Sequence, residues 1–186
     1  VRPVVLVPLT AAHVPALLDA MQDAQVRRFT RVPVPMPDGW IDTWVAGFDG
    51  ERRHGWAVLD PDDGRFLGYA VTGPVDRTAR EVELGYAVVP GARGQGVATA
   101  TLHALSRWAL DEGMLRLTAL VSTGNPASSR VCARVGYTLE GVLRSVHHRG
   151  EERQDLECWS LLPGELAGDV AGEPADAPPG PSPAAN

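Results

Sequence analysis

Lysine is missing from this sequence: all 17 basic residues are arginine. A standard Walker phosphate loop needs a lysine for the β- and γ-phosphates, followed by Ser or Thr, and is therefore excluded. Cysteine is scarce. Cys132 and Cys158 form no Cys-x-x-Cys pair, and with five scattered histidines they show no metal-ligand spacing, so no metal is expected. Two lone thiols are read as reduced, as in a cytoplasmic protein. Long apolar runs are lacking too. Val1 to Leu9 is too short and too broken by proline for a signal peptide or membrane span, so the reading is a cytoplasmic protein with no membrane partner. Basic clusters are also absent, and the formal charge is −6. Glu165, Asp169, Glu173 and Asp176 carry much of that excess, which leaves residues 1–162 near neutrality. Nucleic acid is not an expected partner.

What is present suits a folded domain. The chain has 186 residues, 44% hydrophobic and 22% charged, enough to bury a core without metal or disulfide. Val4 to Leu9 reads as a strand, and Thr10 as the cap of a helix reaching about Asp23. Ala24 to Pro37, with Pro33, Pro35 and Pro37, reads as an irregular apolar and basic segment of the kind that lines clefts. Asp38 is expected to cap a helix carrying Trp40, Ile41, Trp44, Val45 and Phe48 and ending near Gly50. The tryptophans Trp40, Trp44 and Trp108 are read as core.

Gly55–Asp60 and Arg65–Thr72 alternate as strands around Pro61-Asp62-Asp63-Gly64, whose Asp-Gly is a hairpin signal. A further strand covers Glu81 to Val89. A helix follows from Val97 to Leu110, then a strand from Leu115 to Val121. Asn125-Pro126 opens another helix that stops at Gly136. Tyr137–His147 and Arg153–Leu161 close the domain as strands. The fold class is α+β. Residues 1–162 are assigned to one domain and 163–186 to a Pro, Gly and Ala-rich acidic tail expected to be disordered.

The organising stretch is Arg93-Gly94-Gln95-Gly96-Val97-Ala98-Thr99, a strand-to-helix turn. Its glycines permit a tight backbone and close approach by a ligand, and the first N–H groups of the helix suit a phosphate. A dinucleotide fingerprint would need a third glycine where Thr99 stands, directly after the first strand of a βαβ unit. Here the strand is the fourth, so the guest expected is a pyrophosphate held by backbone groups without metal.

With Gly85-Tyr86-Ala87-Val88-Val89-Pro90 before it, this turn resembles the GNAT superfamily of acyl-coenzyme A dependent N-acetyltransferases, matching its Gln/Arg-x-x-Gly-x-Gly/Ala pattern at Arg93, Gly96 and Ala98. Asn125-Pro126-Ala127-Ser128, then Gly136-Tyr137 and Leu139-Glu140-Gly141, are similar to the branch containing the ribosomal-protein alanine and serine N-terminal acetyltransferases. The resemblance implies a mostly antiparallel seven-stranded sheet, splayed between strands 4 and 5, with helices on both faces. It implies acetyl-CoA as co-substrate, its pyrophosphate on Arg93, Gly94, Gln95, Gly96, Val97, Ala98 and Thr99, and its pantetheine arm against Val88, Val89 and Asn125.

Ser128 matches the serine placed near the thiol in that branch. The carboxylate assigned there as base falls at His147, a departure, which leaves His147 and Glu83 as candidates. Simpler readings stand beside these: a helix cap for Asn125, a polar first-turn residue for Ser128, a hairpin end for His147, a cross-strand ion pair for Glu83. The acceptor implied is a peptide or protein α-amine, with a small-molecule amine or a non-catalytic acyl-CoA binding module as alternatives. Oligomeric state is left open between monomer and homodimer.

Overall fold

The structure, a computed structural model, describes residues 2–149 and 152–168. Seven strands form one sheet: β1 (Val5–Pro8), β2 (Gly55–Leu59), β3 (Phe66–Thr72), β4 (Glu81–Val88), β5 (Arg116–Ser122), β6 (Thr138–Arg149) and β7 (Glu152–Leu161). Their spatial order is β1-β2-β3-β4-β5-β7-β6, antiparallel throughout except for the β4–β5 pair. That parallel pair has only three rungs, Glu81↔Arg116, Val82↔Leu117 and Glu83↔Thr118. β4 continues five residues beyond Glu83 and β5 four beyond Thr118 with no further rungs, so the sheet forks at Glu83.

The five helices are α1 (Val14–Ala20), α2 (Ala24–Phe29), α3 (Trp40–Ala46), α4 (Val97–Asp111) and α5 (Pro126–Val135). They cover both faces. Leu102, Leu105 and Ala109 of α4 and Val135 of α5 bury against Leu84, Leu117 and Trp159. Leu17, Ile41 and Val45 of α1 and α3 bury against Ala57, Tyr69 and Ala87. Leu102, Leu105 and Leu117 are fully buried, each contributing about 1.5–3 kcal/mol.

Local chemistry departs from expectation between Thr10 and Gly50. Thr10 heads a single 3-10 turn, Ala11–His13, which runs directly into α1. Asp23 then starts a new helix, its carboxylate accepting the N–H groups of Gln25 and Val26 at 3.1 and 3.0 Å. Ala24 to Phe29 is thus helical, and the irregular run expected from Ala24 begins only at Thr30. Gly39, in the left-handed region at φ 69°, takes the N-cap of α3 in place of Asp38, and that helix ends at Ala46.

The chain does not leave the domain at Pro163. Leu166 packs on the α4/α5 core, the Ala167 N–H donates to the Val135 carbonyl at 3.0 Å, and the Ala167 carbonyl lies 3.1 Å from His103 Nε2. Gly136, at φ 108°, permits this return, because a Cβ there would stand 2.3 Å from the Glu165 carbonyl. The remainder of the expected tail, 169–186, lies outside the described residues. Among the described residues no helix is long and apolar enough to cross a membrane.

Candidate active site

The fork opens a cleft of about 570 Å³ between β4 and the β5–α5 unit. On β4 the backbone sets its floor. The Glu83 carbonyl accepts the Gly73 N–H and the Val89 N–H donates to the Leu67 carbonyl, at 2.8 and 2.9 Å, so odd-numbered residues turn their backbone groups toward β3. By strand alternation Tyr86 and Val88 turn theirs toward the gap, where no partner strand remains. Of the two valines expected to meet a pantetheine arm, Val88 therefore has its N–H toward the cleft and Val89 has its own committed to β3.

At the wide end of the fork sits the glycine turn. Gly94 and Gly96 adopt φ 73° and 84°, which L side chains resist. Gly96 is the N-cap of α4, supplies no capping side chain, and the first turn holds no acid. The leading N–H groups of this 15-residue helix thus face the cleft with the dipole's positive end. Gly94, Gly96, Val97, Ala98 and Thr99 line the cleft. The Gln95 side chain turns away, donating to the Gly91 carbonyl at 2.8 Å and accepting from Arg2.

Arg93 lines the cleft but is engaged on two sides. Its Nε donates to the Val88 carbonyl at 3.1 Å, and its guanidinium forms an ion pair with Asp23, the cap of α2. Hydrogen bonding from Arg93 is the chief reason the Asp23 carboxyl is held below its ordinary value. The pair joins the glycine turn to the helix on the opposite face of the sheet.

Asn125 and Ser128 stand where α5 begins. The Asn125 side chain accepts the Ser128 N–H at 3.3 Å, so the cap reading holds, and both residues also line the cleft. The Ser128 hydroxyl lies 2.7 Å from the Tyr86 hydroxyl of β4. Burial pushes the Tyr86 phenol above its ordinary value, so it stays protonated at neutral pH. The motif Gly85-Tyr86-Ala87-Val88 alone does not single out Tyr86; its position two residues before Val88, on the same strand face, is the signal that could.

Glu83 occupies the fork itself. Its carboxylate pairs with Arg31 at 3.4 Å, side-chain exposures being 37% and 68%, so this is a solvated pair of small energetic weight. Alternation separates Glu83 from Tyr86: Ala87 joins the α1/α3 core, whereas Leu84, Tyr86 and Val88 belong with α4 and α5. His147 also lines the cleft. It follows an irregularity in β6 between Leu143 and His147, where Ser145 sits at φ 57° and donates its N–H to Asp155 at 2.8 Å. No residue pattern marks that bulge, which sets the register of His147 opposite Gln154.

The remaining wall comes from the segment that follows α1. Phe29, Arg31, Trp40 and Trp44 line it with Arg53. Trp40 and Trp44, expected in the core, are partly buried and stack on each other at 5.7 Å along the cleft. Trp108 is partly buried elsewhere, against Trp56 and His54. Among the described residues no group of three or more His, Cys, Asp and Glu could hold a metal ion.

Comparison with known proteins agrees with this architecture. A family profile described as an acetyltransferase (GNAT) domain matches residues 4–138. The uncharacterized N-acetyltransferase YoaA of Bacillus subtilis is 25% identical over 123 residues, covering 66% of this chain and 70% of that protein. An L-methionine sulfoximine/L-methionine sulfone acetyltransferase of Pseudomonas aeruginosa is 32% identical over 121 residues, covering 62% and 70%. The structure of RimL, a ribosomal L7/L12 α-N-protein acetyltransferase in complex with coenzyme A, superposes with a TM-score of 0.79 at 18% identity, covering 87% of this chain and 95% of that one.

Proposed function

This chain belongs to the GNAT acetyltransferase family and is an acetyl-CoA dependent N-acetyltransferase, and from that premise we propose that its acceptor is the α-amine of a peptide or protein N-terminus. The observation that carries the site assignment is the fork beyond Glu83, with Val88 N–H in the gap and the uncapped start of α4 beside it. These features fit the co-substrate part by part. The leading N–H groups of α4, with Gly94 and Gly96, would hold the pyrophosphate, each charge-assisted bond contributing about 1.5–3 kcal/mol. The edge of β4 that no strand covers, at Tyr86 and the Val88 N–H, would receive the pantetheine amides as an added strand would.

The opposed faces of β4 divide the chemistry. Glu83 serves the amine on one face; Tyr86 and Ser128 serve the thiol on the other. Val88 N–H polarises the thioester carbonyl and stabilises the oxyanion as the amine attacks. Glu83 or His147 accepts the proton that the nitrogen loses, directly or through water. An α-amine with an ordinary pKa of about 7.7–8.0 is roughly 10–17% neutral at pH 7, against about 0.04% for a lysine side chain. An α-amine is therefore the acceptor that asks least of a base at the fork.

A second acceptor class is favoured by one feature. Arg31 and Arg53 line the acceptor side of the cleft, and Arg53 Nε is buried without a hydrogen-bond partner. A free amino acid would bring a carboxylate to these guanidiniums next to its α-amine. The name of the Pseudomonas relative points the same way. Thiol release from acetyl-CoA, measured over peptides with free and blocked N-termini and over free amino acids, separates the two. Turnover of free-N-terminal peptides above amino acids is the expected result. Turnover confined to free amino acids, or to amines that are not α-amines, overturns the peptide assignment.

A further inference from the structure

Resting on the acetyl-transfer reading, we propose that Tyr86 is the positioning residue of the thiol side: its hydroxyl fixes Ser128 so that the serine O–H points at the departing sulfur, and the pair acts by hydrogen bonding to the thiolate. The geometry is specific. The two oxygens are 2.7 Å apart although 42 residues separate them, and they join β4 to the first turn of α5 across the gap that the fork leaves. Both residues line the cleft. The Ser128 backbone is fixed by its N–H bonds to the Asn125 carbonyl and side chain, at 3.0 and 3.3 Å. Two torsions of the Ser128 side chain then remain, χ1 and the Cβ–Oγ rotor, and the bond to the Tyr86 hydroxyl restricts both.

Acidity decides between donating a hydrogen bond and donating a proton. N–C bond formation places an electron pair on the carbonyl oxygen, and its return breaks the C–S bond and leaves that bond's pair on sulfur. A thiol has an ordinary pKa near 8.5 and a phenol near 10, so moving the Tyr86 proton through Ser128 to sulfur is already about 30-fold unfavourable. Burial of Tyr86 increases that margin. The phenol therefore keeps its proton and, as the more acidic hydroxyl of the pair, is assigned as the donor to Ser128 Oγ. An oxygen that accepts a hydrogen bond becomes a stronger donor itself, which strengthens Ser128 O–H toward the developing thiolate. The sulfur is protonated later from solvent, and the proton lost by nitrogen leaves on the amine side.

The test compares wild type with Tyr86→Phe, Ser128→Ala and the double variant, measuring kcat, KM for acetyl-CoA, and Kd for coenzyme A by calorimetry. Tyr86→Phe removes one oxygen and retains the ring. The expected result is a kcat about tenfold lower, with KM and Kd within about twofold, and a double variant no slower than Ser128→Ala alone. A second readout uses acetyl thioesters whose leaving thiols differ in acidity. The Tyr86→Phe defect should shrink as the thiol becomes more acidic, a response that a packing role does not produce. Wild-type kcat in Tyr86→Phe, losses that multiply in the double variant, or a defect indifferent to the leaving thiol each overturn the proposal and leave acetyl transfer standing. Absence of turnover by wild type on every amine overturns the acetyl-transfer reading itself, and this inference with it.

Discussion

Severing the ion pair between Asp23 and Arg93 is expected to lower stability slightly and tighten coenzyme A binding. Asp23 has two tasks. Its carboxylate caps α2 through Gln25 and Val26, and it neutralises the guanidinium at the edge of the anion-binding turn. Asp23→Asn retains a capping oxygen, Asn and Asp being near-equal caps, and removes only the charge. With side-chain exposures of 31% and 19% the pair is partly screened, so its loss should cost no more than about 1 kcal/mol. Arg93 keeps its bond to the Val88 carbonyl and stays beside the turn, now uncompensated. A charge effect of about 1 kcal/mol corresponds to roughly fivefold tighter binding of a polyanion, diminishing as salt is raised. Asp23→Ala should lose about 1 kcal/mol more, because the cap goes as well. Thermal melts and calorimetric titration with coenzyme A at two salt concentrations measure both quantities. In wild type, Asp23 has its carboxyl depressed below 3.8, so its contribution is fully present above that pH and is lost as pH falls through the lower, folded value. Coenzyme A binding tenfold weaker in Asp23→Asn would refute the reasoning, since Arg93 would then need Asp23 to hold its place.

Gly96→Val places a β-branched residue at φ 84° in the anion turn and should weaken coenzyme A binding at least tenfold; unchanged affinity by calorimetry contradicts the phosphate role. Glu83→Gln and His147→Ala are expected to divide the proton-accepting role, one lowering kcat about a hundredfold with coenzyme A affinity nearly constant, whereas full rates in both remove the assigned base. Glu140, whose carboxyl is drawn down to about 2 chiefly by hydrogen bonds from Arg116 and then from Ser160, contributes stability that is present above about pH 4.5 and lost as pH falls toward 2. Glu140→Gln should flatten acid unfolding over that window, and an unaltered acid melt counts against it. Gly136→Ala forces a Cβ onto the Glu165 carbonyl and should destabilise by about 1–3 kcal/mol in a thermal melt; a neutral effect would mean that residues 163–168 contribute nothing to the domain.

The parts legible in the sequence are those fixed by short-range backbone chemistry. A strand that stops just before Pro90, two glycines forced to positive φ, and Asn125-Pro126 as cap and first helical residue each determine a local conformation within a few residues, and the structure contains all three. α2 was hidden because six residues are too few for a periodic signal and Pro33, Pro35 and Pro37 dominate the neighbourhood, although Asp23 before Ala-Gln-Val-Arg-Arg-Phe was a readable cap. The bulge at Ser145 depends on a carboxylate ten residues on, and the return of 163–168 depends on a glycine whose positive φ reads equally well as an ordinary helix stop.

The site was legible on one side only, and for a physical reason. The proposed phosphate site uses backbone N–H groups at a helix start, and glycine spacing is the sequence mark of such a start. The other contacts around the cleft join side chains that meet only after the sheet has formed: Tyr86 with Ser128 across 42 residues, Arg93 with Asp23 across 70, and Arg31 with Glu83 at the fork. These contacts share one cause. A strand that loses its neighbour at Glu83 exposes two faces and an edge, and every element packed around it can then supply a side chain to the same gap. The edge is therefore set by how the fold forks, whereas acceptor choice is set by whatever α2, the 30–39 segment and β6 place there.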